Sequence, residues 1–153
     1  MDYSSVVIQK MQHRYPMMHW VVMDVLDMSS LDENSFDLVL DKGVMDALVT
    51  DETDQWSPNV SMTRCMCQQV YRLLRRDGGM FVQVSFAQPH FRRLHLIPET
   101  MDDEQEVKTM STPKYVPPSE NVIGWSFEWL HLPTVGFGYY VFIMRRNDMN
   151  QQQ

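Results

Sequence analysis

Two carboxylates close apolar runs of strand length in the first third of the sequence. Asp24 follows His19-Trp20-Val21-Val22-Met23. Asp41 follows Phe36-Asp37-Leu38-Val39-Leu40 and is itself followed by Lys42 and Gly43. α/β sheets gather ligands at the carboxyl ends of their strands, and an ionised acid only accepts hydrogen bonds, so these positions suit hydroxyl and amine donors. The plain alternative is a turn and helix start, since Asp and Gly favour both. Lys42 invites a general-base or Schiff-base reading, but nothing around it in the sequence implies a lowered pKa. Cys65 and Cys67, with His90, His95 and His131, are zinc-ligand types. On a helix the two cysteines project about 200° apart, so no metal site is expected. Arg92, Arg93 and His95 read as a small solvated basic face rather than an RNA site.

The elements that must carry these residues follow from spacing and punctuation. Ser4 or Ser5 caps a first helix with apolar positions Val7, Ile8 and Met11, ending near Tyr15-Pro16. His19 to Met23 and Phe36 to Leu40 read as strands, and Val44 to Val49 as a short helix. Met62, Cys65, Met66, Val70, Leu73 and Leu74 repeat at three and four, predicting a helix from about Val60 to Arg76. Arg72, Arg75 and Arg76 suit its negative end, and Gly78-Gly79 its left-handed cap. Met80 to Phe86 is a buried strand. Trp125, Phe127 and Trp129 alternate with Ser126 and Glu128 as in a half-buried strand, and Tyr139 to Met144 is the last one. The order predicts a mostly parallel α/β sheet finished by an antiparallel hairpin. One domain is expected over 1–146, with an acidic, proline-bearing mobile insertion at about 98–120 and a disordered tail at 147–153.

Composition narrows the classes. The chain has 153 residues, 44% hydrophobic and 22% charged, which is enough for one globular core. A net charge of −7 argues against general nucleic-acid binding. No apolar run approaches the roughly 20 residues of a membrane helix. The opening residues lack the features of a signal peptide, and two cysteines one residue apart suit a reducing, cytoplasmic compartment. Fourteen methionines fall mostly at core positions.

Asp2-Tyr3-Ser4-Ser5-Val6-Val7, Met23-Asp24-Val25 and the stretch from Ser35 to Leu48, with its Asp41-Lys42-Gly43-Val44-Met45-Asp46-Ala47 signature, resemble the class I, seven-strand S-adenosylmethionine-dependent methyltransferases. More narrowly they are similar to the branch that methylates lysines of translation elongation factor one alpha. The resemblance covers about residues 2 to 144, apart from the insertion. It implies a Rossmann-like sheet, S-adenosyl-L-methionine as cofactor and a protein lysine as acceptor. It also implies a cofactor site made by Asp2 and Tyr3 at the ribose, Asp24 and Val25 at the adenine, and Lys42, with Asp41 nearest the transferred methyl as the catalytic candidate.

The family's first strand, its Gly-x-Gly loop, its first helix and its second strand have no counterpart here. The six glycines stand at 43, 78, 79, 124, 136 and 138, none forming such a loop before a helix. The chain is therefore expected to be an incomplete, N-terminally truncated form of the sheet, unable by itself to bind the cofactor. Its Phe36–Leu40 strand would lack a neighbour and be prone to self-association, unless Trp20 to Met23 crossed over to pair with it. Two rival readings are a non-catalytic pseudoenzyme or interaction module, and a small-molecule methyltransferase on the same fold.

Overall fold

A computed structural model describes residues 1–50, 60–97, 115–116, 123–133 and 138–147. Helix α1 spans Ser5–Arg14. Ser4, in an extended conformation, accepts a hydrogen bond from the Val7 amide, and His13 and Arg14 occupy the last turn. This start is the predicted one, since a serine hydroxyl satisfies one of the free amides of a helix's first turn. Ile8 is the buried residue of α1.

The expected strand at His19–Met23 does not form as one. Only Val22 makes a bridge, parallel to Asp2. The Asp2 amide donates to the Val21 carbonyl and the Met23 amide to the Asp2 carbonyl. The partner runs out because α1 begins at Ser5, three residues beyond Asp2, and a ladder needs consecutive extended residues on both sides. Residues 20–23 do not cross over to the Phe36–Leu40 segment.

Strand β1 (Leu38–Lys42) leads through Gly43 into helix α2 (Val44–Thr50). Helix α3 (Val60–Leu73), strand β2 (Asp77–Ser85) and helix α4 (Pro89–Leu96) follow, then strands β3 (Tyr115–Val116), β4 (Trp125–Leu132) and β5 (Tyr139–Asn147). The sheet order is β1-β2-β5-β4-β3. β1 and β2 are parallel, with Leu40 opposite Val82. The last strand inserts between β2 and β4, antiparallel to both, with Phe142 opposite Gln83 and Trp129. The sheet is thus Rossmann-like and mixed α/β. It is less parallel than the sequence suggests, because residues 19–23 stay out of it. β3 pairs with Glu128 and Phe127 inside the stretch expected to be irregular. The rest of that insertion and the tail beyond 147 lie outside the described residues.

Helix α3 packs its predicted stripe, Met66, Val70 and Leu73, into a core with Phe81, Trp125, Phe127, Phe142 and Met144. Trp125 lies with its ring centroid 5.7 Å from that of Phe81 and 6.0 Å from that of Tyr71, and its indole N–H donates to the Leu96 carbonyl at 2.9 Å. The helix stops at Leu73, three residues before the expected end. The carbonyls of its last turn are taken by Arg146 of β5, whose Nη1 donates to Tyr71 at 2.7 Å and Leu74 at 3.0 Å, with the guanidinium 4.3 Å from the Tyr71 ring centre. The two glycines belong instead to the start of β2. Gly78 has φ of +105°, and a side chain at Gly79 would lie 2.6 Å from the Arg75 nitrogen. Helix α4 was not anticipated. Its available signal was Pro89 in the first turn, where a missing N–H costs nothing.

On the side of β1 away from β2, no described strand is present. Leu38 and Leu40, 50% and 65% exposed, lie in register with Met80 and Val82 on the face of the sheet away from the core. The opposite face of the sheet from the core carries half-buried Met80, Val82, Val84, Val141 and Ile143.

Replacing Arg146 by Met should cost about 2–3 kcal/mol, because carbonyls of the α3 end are left without a charged donor. Urea unfolding checks this. Arg146→Lys should recover only part of the loss, since an ammonium cannot span several carbonyls in a planar fork.

Candidate functional site

The candidate residues fall into two groups at the carboxyl ends of the extended segments. The first is built by the Asp2–Val22 bridge, which sets the amino-terminal acid beside the segment that ends in Asp24. Asp2 Oδ1 accepts from the Ser4 amide at 2.8 Å, and Asp24 Oδ1 accepts from the Leu26 amide at 2.9 Å. These are local turns that aim a carboxylate while using only one of its oxygens. Among the described residues no hydrogen bond is made to the Oδ2 atom of either; Asp2 is half-buried and Asp24 exposed. Tyr3 is exposed, and Val25 is half-buried against the core. The Asp24 segment is anchored from behind. Arg72 donates to the carbonyls of Met28 at 2.7 Å and Leu31 at 2.9 Å, and the Cys65 thiol to that of Leu26 at 3.3 Å.

The second group is Asp41, Lys42 and Gly43, where β1 turns into α2. Asp41 is 4% exposed. Its Oδ1 accepts from the Val44 amide at 2.9 Å, and its Oδ2 from the Met45 amide at 3.2 Å and Gln83 Nε2 at 3.1 Å. It therefore caps α2 and ties β1 to β2. Gly43, at φ +100°, makes the turn. Lys42 points to solvent. Among the described residues no hydrogen bond or ion pair joins this group to Asp2 or Asp24.

A third set was missed from the sequence. Arg92, read as part of a solvated basic face, is 3% exposed and paired with Asp46 of α2, and His95 is 7% exposed. Ser85 Oγ donates to Asp46 Oδ1 at 2.7 Å and accepts from Arg92 Nη2 at 3.2 Å. Burial pulls the Arg92 pKa down, opposed by the carboxylates of Asp46 and Asp41. His95 Nδ1 lies 3.0 Å from Thr63 Oγ1. The nearest sequence signal was the short spacing of Ser85 and Arg92 after a buried strand, which does not by itself reveal Asp46 as the partner.

Cys67 is fully buried, its thiol donating to the His95 carbonyl at 3.5 Å. Burial first, and the Asp41 carboxylate second, push that thiol far above its ordinary value of 9.0, with Arg92 acting in the opposite direction. Among the described residues no cluster of His, Cys, Asp or Glu could hold a metal ion, and no helix is long and apolar enough to cross a membrane.

The thiol gives a pH prediction. A pKa raised only in the folded state means that the unfolded chain ionises first as pH rises. Stability present below about pH 9 is then lost progressively above it. The urea midpoint should fall between pH 8 and about pH 10 by more in the wild type than in Cys67→Ala. Equal slopes would show that this thiol ionises alike in both states.

The sequence is similar to several known proteins. The chain is 41% identical over 100 residues to EEF1A lysine methyltransferase 4 of Bos taurus, covering 61% of this chain and 38% of that protein. The Mus musculus protein of the same name is 43% identical over 102 residues, with the same coverage. The eEF1A lysine and N-terminal methyltransferase of Homo sapiens is 39% identical over 93 residues, covering 58% of this chain and 13% of the relative. No protein-family model matches the chain. It spans about two fifths of the length of the first two relatives. Over about three fifths of its length the chain is thus similar to proteins named as eEF1A lysine methyltransferases, on a Rossmann-like α/β sheet with a parallel pair at its start.

Proposed function

We propose that the chain serves in S-adenosyl-L-methionine-dependent protein-lysine methylation in the cytoplasm, with translation elongation factor one alpha as the substrate. The observation that carries this reading is the pairing of Asp2 with the Asp24 segment in a chain about 40% identical to eEF1A lysine methyltransferases. Two carboxylates with free oxygens fit a group rich in hydroxyl and amine donors. Asp2, with Tyr3 alongside, would hold the ribose hydroxyls, and Asp24 with Val25 the adenine edge, Val25 supplying an apolar wall. Lys42 lies at the mouth of the same strand ends.

S-adenosyl-L-methionine supplies an electrophilic methyl group when bound. The chain's own task is to align a lysine amine with it, in the neutral form, away from water. Asp41 has both oxygens engaged, so it serves by setting the turn that carries Lys42. Accepting a proton from the substrate would require it to release Gln83. The relatives' greater length supports a further part of the reading. None of the six glycines forms a Gly-x-Gly loop that leads into a helix and could bring backbone close to the cofactor, and on this reading the 153 residues do not by themselves bind it. The open β1 edge is then a surface for self-association.

Calorimetry with S-adenosyl-L-methionine tests the reading on two proteins: this chain, and a chimera in which it replaces the matching segment of the Mus musculus relative. Binding is expected in the chimera and not in the chain alone. Asp24→Ala in the chimera should weaken it by about 1–3 kcal/mol, the cost of leaving a donor unpaired. Unchanged affinity would remove Asp24 from the site. Radiolabelled methyl should pass from the chimera to lysines of elongation factor one alpha. Label in metabolites instead would establish a small-molecule enzyme, and none at all an interaction module. Leu40→Lys should shift the chain toward monomer in sedimentation velocity; an unchanged profile means that the β1 edge is not used.

A further inference from the structure

We infer that Arg92 and Asp46 are positioning residues for the Asp41-Lys42-Gly43 turn, clamping α2 so that the turn keeps one geometry; this rests on the reading that the turn belongs to the methyl-transfer site. Helix α2 is held at two places within its first turn. At its start Asp41 receives the amides of Val44 and Met45. Within its first turn Asp46 receives Arg92 from α4 and the Ser85 hydroxyl from the end of β2. Ser85 is itself fixed by the Ala87 amide at 2.9 Å. Gln83, two residues earlier on β2, holds Asp41. The two carboxylates that fix α2 are therefore both tied to the same face of β2, and the turn is strung between them.

Stability alone does not favour this arrangement. Arg92 is 3% exposed, and among the described residues its buried Nε and Nη1 atoms have no hydrogen-bond partner. A buried ion pair with donors left over is commonly no more stable than an apolar pair of equal volume. What the ion pair adds is direction. Guanidinium, hydroxyl and carboxylate meet at Asp46 Oδ1, and only one placement of α2 satisfies both bonds.

The test uses the cofactor-free chain, so its failure and that of the cofactor reading are separable. Native-state amide exchange is followed at Val44 and Met45, with Phe81 and Phe142 as references. The proteins are wild type, Arg92→Met, Arg92→Lys, and the double variant Arg92→Met with Asp46→Leu. In Arg92→Met, exchange at Val44 and Met45 should accelerate roughly tenfold or more beyond the change at the references, which report larger openings. Arg92→Lys should restore part of that difference. The double variant removes the uncompensated charge, so the references should recover while Val44 and Met45 stay fast. If Arg92→Met does not fold, Arg92→Lys and the double variant carry the comparison. All four amides moving together throughout would overturn the inference and leave the pair as an ordinary contributor to stability.

Discussion

Burial of Trp125 is the interaction on which the other elements depend. Its ring touches Phe81 of β2 and Tyr71 of α3, and its N–H reaches the end of α4. An indole buried on all sides with its one polar atom satisfied contributes both a large apolar area and a fixed orientation. It determines how the antiparallel half of the sheet meets the helices. Phe127 and Phe142, with ring centroids 6.0 Å apart, extend the same layer. Arg146 then reaches from β5 to the carbonyls of α3, so the helix end is closed by the sheet and not by its own following glycines.

From that packing, two kinds of acid arise. Asp2, half-buried, and Asp24, exposed, sit in turns where one oxygen of each accepts a local backbone amide. Asp41 and Asp46 are turned inward, against Gln83, Ser85 and Arg92 of the second strand and fourth helix. Outer acids can recognise, and inner acids can hold. A charge placed inside a protein is costly unless paired and hydrogen-bonded, which is why the inner pair is met by a guanidinium, an amide and helix amides.

The open side of β1 gives the same division at the scale of the sheet. On its β2 side the strand is fully laddered. On the other side no described strand pairs with it, and the Asp2–Val22 bridge stands apart with a single rung; exposed Leu38 and Leu40 lie on the sheet face away from the core. Extended backbone with unpaired groups beside apolar side chains is a template for another strand. The parallel pair and the inserted last strand give a mixed α/β sheet in a chain similar to eEF1A methyltransferases.

Where the physics is local, the residues themselves determined the outcome. Ser4 caps α1, the three-and-four spacing from Met62 to Leu74 buries one face of α3, and Trp125 and Phe127 turn inward by the two-residue period of a strand. Long-range partners were decided only by the tertiary structure. His19 to Met23 has the composition of a strand, yet it makes one bridge because α1 begins so soon after Asp2. Arg92 has the look of a surface charge, and it is buried because Asp46, 46 residues earlier, lies across from it. The end of α3 depended on Arg146, more than seventy residues away. Caps and periodicity are written within a few residues, whereas pairing a charge or a strand edge depends on which distant group folding brings beside it.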